Sequence, residues 1–155
     1  MVLRGMLDIY VDADACPVKE EVYRVADRYQ LAVFLVANGP LRVPPGGRVQ
    51  LVVVSDSFDA ADDWIAERAA KGDIVVTADI PLADRCLKNG AKVIGPSGRP
   101  FTEASIGQAM AMRTLMRDLR DMGVVQGGNA SMTKQDKSRF LSALDEAVNM
   151  ARRGR

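Results

Sequence analysis

The sequence contains no histidine, and this one absence removes His-based triads, imidazole general bases and His-containing zinc sites. Its two cysteines are too few for a disulfide scaffold. None is needed, because at 155 residues a single core takes about two-thirds of the unfolded surface out of water. Aromatic residues are only 5% of the chain, so no platform for stacking successive bases is visible and a sequence-specific single-strand reader is not expected. No apolar run approaches the roughly 18 residues needed to cross a bilayer. The N-terminus turns acidic at Asp8 without a long apolar stretch and small-residue cleavage site, so it does not read as a signal peptide. The expectation is a cytoplasmic protein with free thiols and no membrane partner.

What remains is chemistry on carboxylates, hydroxyls, amines and thiols. The overall charge of +1 hides a split. Residues 1–98 carry 11 basic and 14 acidic side chains, while residues 99–155 carry 10 basic and 6 acidic ones. Acidic chemistry in the first part and basic binding in the second is the pattern this suggests.

Up to about residue 95, short β-rich runs alternate with amphipathic helical stretches, the signature of a parallel sheet covered by helices. Leu7 to Val11, Leu31 to Ala37, Val49 to Val54, Asp73 to Thr77 and Ala91 to Ile94 read as strands. Helices are expected from Pro17, across Ala61, Ile65 and Ala69, and from Pro81 to Asn89. From about residue 96 a helical extension follows. Its first helix runs from about Ser105 to Met122, with Ala109, Met112, Met116 and Leu119 as an apolar stripe expected to be core or partner surface. A Gly127-Gly128 turn precedes a last helix, opened by a Thr133/Asp136 capping box and bearing Phe140, Leu141, Leu144, Val148 and Ala151 on its core face. The whole chain is expected to be one α/β domain.

In an open parallel sheet, ligands collect beyond the carboxyl ends of the strands. Two of those ends are acidic: the first strand runs into Asp12-Ala-Asp14, and the strand ending at Thr77 runs into Ala78-Asp79. Asp59, Asp62 and Asp63 fall at i, i+3 and i+4 on the helix between. Carboxylates converging without histidine form an oxygen-only site, which suits Mg²⁺ or Mn²⁺. Such an ion quenches their mutual repulsion, lowers the pKa of a water and stabilises charge on a phosphoryl oxygen. Asp12, Asp14, Asp62, Asp63 and Asp79 are therefore the candidate metal ligands, with Asp12, Asp14 and Asp79 as candidate catalytic residues. Capping offers a plainer role for two of them: Asp79 at the helix near Pro81, and Asp14 at the helix near Pro17.

Arg113, Arg117 and Arg120 share one helix at i, i+4 and i+7, and Lys134 and Lys137 begin the next. A nucleic-acid backbone, RNA or DNA, would need such a stripe, although a solvated helix face is the favoured reading. Cys16, beside Pro17 at a helix start, is either a reactive thiol of lowered pKa or filler of a small niche; Cys86 reads as core.

The stretches Asp12-Ala-Asp-Ala-Cys-Pro17 and Gly72-Asp-Ile-Val-Val-Thr-Ala-Asp-Ile-Pro-Leu-Ala83 resemble the signatures of the YaiI/YqxD family, a bacterial group with a PIN-like fold. The likeness continues through Thr102-Glu103, the helix around Arg113, Gly127-Gly128 and the Asp136 to Asp145 segment. It implies a three-layer domain with a central, mainly parallel sheet, helices on both faces and a helical C-terminal extension. Carried over from PIN-type nucleases, it also implies metal-holding acids at Asp12, Asp62 and Asp79, with Asp14 and Asp63 as further acids able to share those roles. The separate glutamate that many such nucleases carry has no matching motif here. A Mg²⁺- or Mn²⁺-dependent nuclease is the leading expectation. The alternatives are a haloacid-dehalogenase-like phosphatase with Asp12 as nucleophile and Asp14 as acid/base, and a non-catalytic PIN-like module that binds RNA or protein. The phosphatase ranks lower because Ala15-Cys16 follows Asp14 where those enzymes carry Gly-Thr.

Overall fold

Runs of valine, isoleucine and leucine punctuated by glycine, proline and asparagine form a six-stranded sheet in the computed structural model, which describes residues 7–57, 59–123 and 132–153. The strands are β1 (Asp8–Asp12), β2 (Ala32–Ala37), β3 (Val49–Val53), β4 (Ile74–Val76), β5 (Lys92–Ile94) and β6 (Pro100–Phe101). The helices are α1 (Lys19–Tyr29), α2 (Ala60–Arg68), α3 (Ile80–Lys88), α4 (Glu103–Asp121) and α5 (Lys134–Arg153). Sheet order is β3-β2-β1-β4-β5-β6, parallel throughout except for β6, which runs antiparallel to β5. The Gly127-Gly128 turn lies outside the described residues.

Alternation along the strands sends side chains to two separate cores. Ile9, Val11, Val33, Leu35 and Ile74 meet α1 and α5 on one face, through Val18, Val22, Val25, Phe140, Leu144 and Val148. Tyr10, Val36, Val75 and Val93 meet α2 and α3 on the other, through Ile65, Ala66, Leu82, Ala83 and Cys86. The result is the expected three-layer α/β arrangement, consistent with a PIN-like fold. The C-terminal helix α5 is an integral part of one layer, lying beside α1 on the same face of the sheet. Gly98, at φ +91°, lets the loop between β5 and β6 settle on α5, where a Cβ would sit 3.1 Å from the Arg139 carbonyl oxygen.

One feature departs from the sequence reading. The two-residue strand β6 was not anticipated, because Pro100 argues against a strand; it is tolerated on a sheet edge, where one N–H is dispensable. Of the two roles expected for the apolar stripe of α4, core or partner surface, the structure removes the first. Ile106 alone of that helix is buried, whereas Met112 is 53% and Leu115 50% exposed. A helical period reports an apolar face, not the presence of something to cover it.

The Thr133/Asp136 capping box is formed. Asp136 Oδ2 accepts from the Thr133 N–H at 3.0 Å, and Thr133 Oγ1 accepts from the Asp136 N–H at 3.0 Å. Thr133→Ala should therefore cost about 1 kcal/mol of stability, read as a fall of roughly 0.5 M in the urea midpoint.

Candidate active site

β2 and β3 lie to one side of β1, and β4 to β6 to the other, so the strand order reverses between β1 and β4. At such a switch point the chains leaving neighbouring parallel strands diverge, and a crevice opens at their carboxyl ends. Asp12 is the last residue of β1, still in register with Val36 of β2. Thr77 follows β4 and is 1% exposed, the one fully buried polar side chain among the described residues.

A chain of hydrogen bonds joins the two strand ends. Thr77 Oγ1 donates to Asp12 Oδ2 at 3.0 Å and accepts from the Asp79 N–H at 2.9 Å. Asp79 Oδ1 in turn accepts from the Leu82 N–H at 2.9 Å, capping α3. Asp79 is thus both the cap that Pro81 suggested and a carboxylate held beside Asp12. Thr77 was missed by the sequence reading, although a hydroxyl two residues before an acid at a strand end is a recognisable signal.

Asp62, in the first turn of α2, faces the same place. Burial, followed by the negative charges of Asp79, Asp12 and Asp59, pushes its carboxyl up to about 6, with Arg85 opposing. Burial likewise raises Asp12; the hydrogen bond from Thr77 works against this, and Asp79 and Asp14 reinforce it. These shifts record carboxylates that repel one another in partial shelter from water. Since Asp62 is held above the unfolded value of 3.8, its contribution to stability is full below pH 4 and lost as pH rises through about 6. Asp62→Asn should stabilise the cation-free protein at pH 8 and not at pH 4. The gain is about 1 kcal/mol after allowance for the carboxyl's partial exposure, measurable as paired urea titrations at the two pH values.

The other sequence candidates are placed differently. Asp14 is exposed on the 3-10 turn after β1, and its Oδ2 accepts from the Asn38 N–H at 3.0 Å, so it ties the ends of β1 and β2 together and does not cap α1. Asp63 is exposed and forms an ion pair with Arg85 at 2.9 Å. Arg113, Arg117, Arg120 and Lys134 are exposed and Lys137 half-buried; none forms an ion pair among the described residues. Cys16 is buried, and burial raises its thiol, so the niche reading holds over the reactive one. Cys86 is core as expected.

Among the described residues no three acidic, thiol or imidazole side chains are gathered into a ready coordination shell. A cavity of about 630 Å³ lies between the β5/β6 edge and α5, lined by Val93, Phe101, Ala147 and Met150, and includes none of these aspartates. No helix among the described residues is long and apolar enough to cross a membrane.

Sequence comparison agrees with the resemblance. A family model described as an uncharacterized YaiI/YqxD family matches residues 10–150. The chain is 65% identical over 154 residues to a UPF0178 protein of Rhodospirillum centenum, covering 97% of this chain and all of the relative. It is 56% identical over 150 residues to one from Rhodospirillum rubrum, covering 96% and 100%, and 57% identical over 145 residues to one from Nitrobacter winogradskyi, covering 94% and 92%. No solved structure matches. With the match running from β1 into α5 and the relatives aligned almost end to end, the chain belongs to the YaiI/YqxD family.

Proposed function

We propose that this protein is a Mg²⁺- or Mn²⁺-dependent phosphodiesterase acting on RNA or DNA. The observation that carries the reading is the Asp12–Thr77–Asp79 chain at the switch point, with Asp62 close enough to feel both charges. The donor set fits a hard cation, being all oxygen. Mg²⁺ commonly keeps several waters and uses one or two carboxylates, so it does not require a preassembled cage. Asp12, Asp62 and Asp79 would hold the ion, with Asp14 at the rim. When bound, it supplies charge stabilisation at a phosphoryl oxygen and eases deprotonation of water, the task histidine would otherwise perform.

The protein's own groups do the positioning. Thr77 fixes the rotamer of Asp12 from a buried position, and the α3 cap fixes Asp79, so two charges meet at a defined place. Arg85 pairs with Asp63, which leaves Asp63 less free than Asp62 to serve a cation. The basic residues Arg113, Arg117, Arg120, Lys134 and Lys137 are offered as contacts to the phosphate backbone, which carry affinity without sequence readout. Tyr10, Phe34 and Trp64 pack on one another with ring centroids 5.3 to 6.0 Å apart, committed to the interface of α2 with the sheet. This supports a sequence-tolerant substrate. The phosphatase alternative has less support, because Asp14, its acid/base, is engaged by the Asn38 N–H.

The test is cleavage of an end-labelled oligonucleotide by purified protein with Mn²⁺. Cleavage that EDTA abolishes is expected. Turnover of a small phosphomonoester without cleavage would put the phosphatase in its place, and binding without turnover of either substrate would leave a non-catalytic module.

A further inference from the structure

β3 is one of the two edges of the sheet, opposite β6, and has β2 as its one neighbour among the described strands. Its register with β2 is set by bonds from the Val33 N–H to the Arg48 carbonyl at 3.0 Å and from the Val54 N–H to the Ala37 carbonyl at 2.9 Å. In a parallel ladder the bonding residues alternate, so Arg48, Gln50, Val52 and Val54 face β2. The N–H and C=O groups of Val49, Leu51 and Val53 therefore point outward. The strand reads Val-Gln-Leu-Val-Val, with none of the charges, prolines or bulges that usually blunt an edge, and Val53 is 55% exposed.

We propose that β3 pairs antiparallel with β3 of a second copy of this chain, about a two-fold axis at Leu51, to give one sheet across a dimer. The spacing of the outward groups suits this register. Leu51 meets Leu51 of the second copy, and Val49 meets its Val53, all as pairs that exchange both backbone bonds. The exposed Val53 gains a β-branched neighbour, the kind of cross-strand pair that stabilises a sheet.

Charge selects the same direction. The approach to β3 is basic, with Arg42 and Arg48, and its exit is acidic, with Asp56 and Asp59. Antiparallel pairing sets Arg48 of one copy on the diagonal of Asp56 in the other, twice by symmetry, whereas parallel pairing would set like against like. Among the described residues the one ion pair of Arg48 is a 3.9 Å contact with the exposed Asp27, which leaves it available.

The inference does not depend on the proposed catalysis, and its test is sedimentation of the full chain over a concentration series. The wild type should dimerise. Val53→Pro removes an outward N–H that serves no bond to β2, and should raise the dimer dissociation constant about 10–30-fold. Arg48→Glu should weaken the dimer, and adding Asp56→Arg should restore it, an effect that loss of fold does not imitate. A wild type that stays monomeric, or a dimer whose affinity both single variants leave unchanged, overturns the proposal.

Discussion

Asp12→Asn should reduce Mn²⁺-dependent oligonucleotide cleavage on the order of 10³-fold while leaving the fold intact. The substitution keeps an oxygen to accept from Thr77 Oγ1, now 3.0 Å from Asp12 Oδ2, and so preserves the link between β1 and β4. What it removes is one full negative charge at the point where the repulsion among Asp12, Asp62 and Asp79 is concentrated. Losing a partner one step removed from a metal costs about 10–100-fold, and losing a direct carboxylate ligand should exceed that. The variant's thermal midpoint without cation should equal or exceed that of the wild type, since a repulsive charge has gone. Equal cleavage by both proteins would remove this crevice from the mechanism.

Phe140→Ala should give the largest loss of stability of any single substitution considered, about 3–5 kcal/mol. Phe140 is fully buried on α5, among the side chains that α1 and the sheet contribute to the same core. The site cannot collapse easily, because the β5–β6 loop lies against the same turn, with a Gly98 Cβ projected 3.3 Å from Phe140 Cα. At a urea dependence of about 2 kcal/mol/M, the midpoint should fall by roughly 2 M. Met112→Ala on the exposed side of α4 should change it by less than about 0.3 M. A small shift for Phe140→Ala would mean that α5 is not an integral part of the domain.

The five parallel strands β1 to β5 were legible because each is an apolar run of strand length closed by turn residues, and their ends fell within one or two residues of expectation. The meeting of Asp12 and Asp79 was legible for a topological reason: acids that follow parallel strands leave the same edge of the sheet, whatever their separation in sequence. The finer placement was not. Asp62 and Asp63 differ by about 100° around a helix axis, and the sequence could not tell which of them feels the charges of Asp12 and Asp79 and which pairs with Arg85 from α3. Asp14 could not be assigned to Asn38 without the pairing of β1 with β2. The α4 stripe could not be assigned between core and partner surface from sequence, because amphipathicity is a property of one helix and burial is a property of two surfaces.

The central claim is that these aspartates, brought together at the β1/β4 switch point, take up one hard divalent cation. Calorimetric titration of the wild type and Asp79→Asn with Mn²⁺ tests it most directly. Asparagine caps a helix as well as aspartate does, so α3 is retained while the charge is lost. Saturable binding near one ion per chain is expected, weakened at least about tenfold in the variant. Absence of saturable binding, or the same affinity in both proteins, would contradict it.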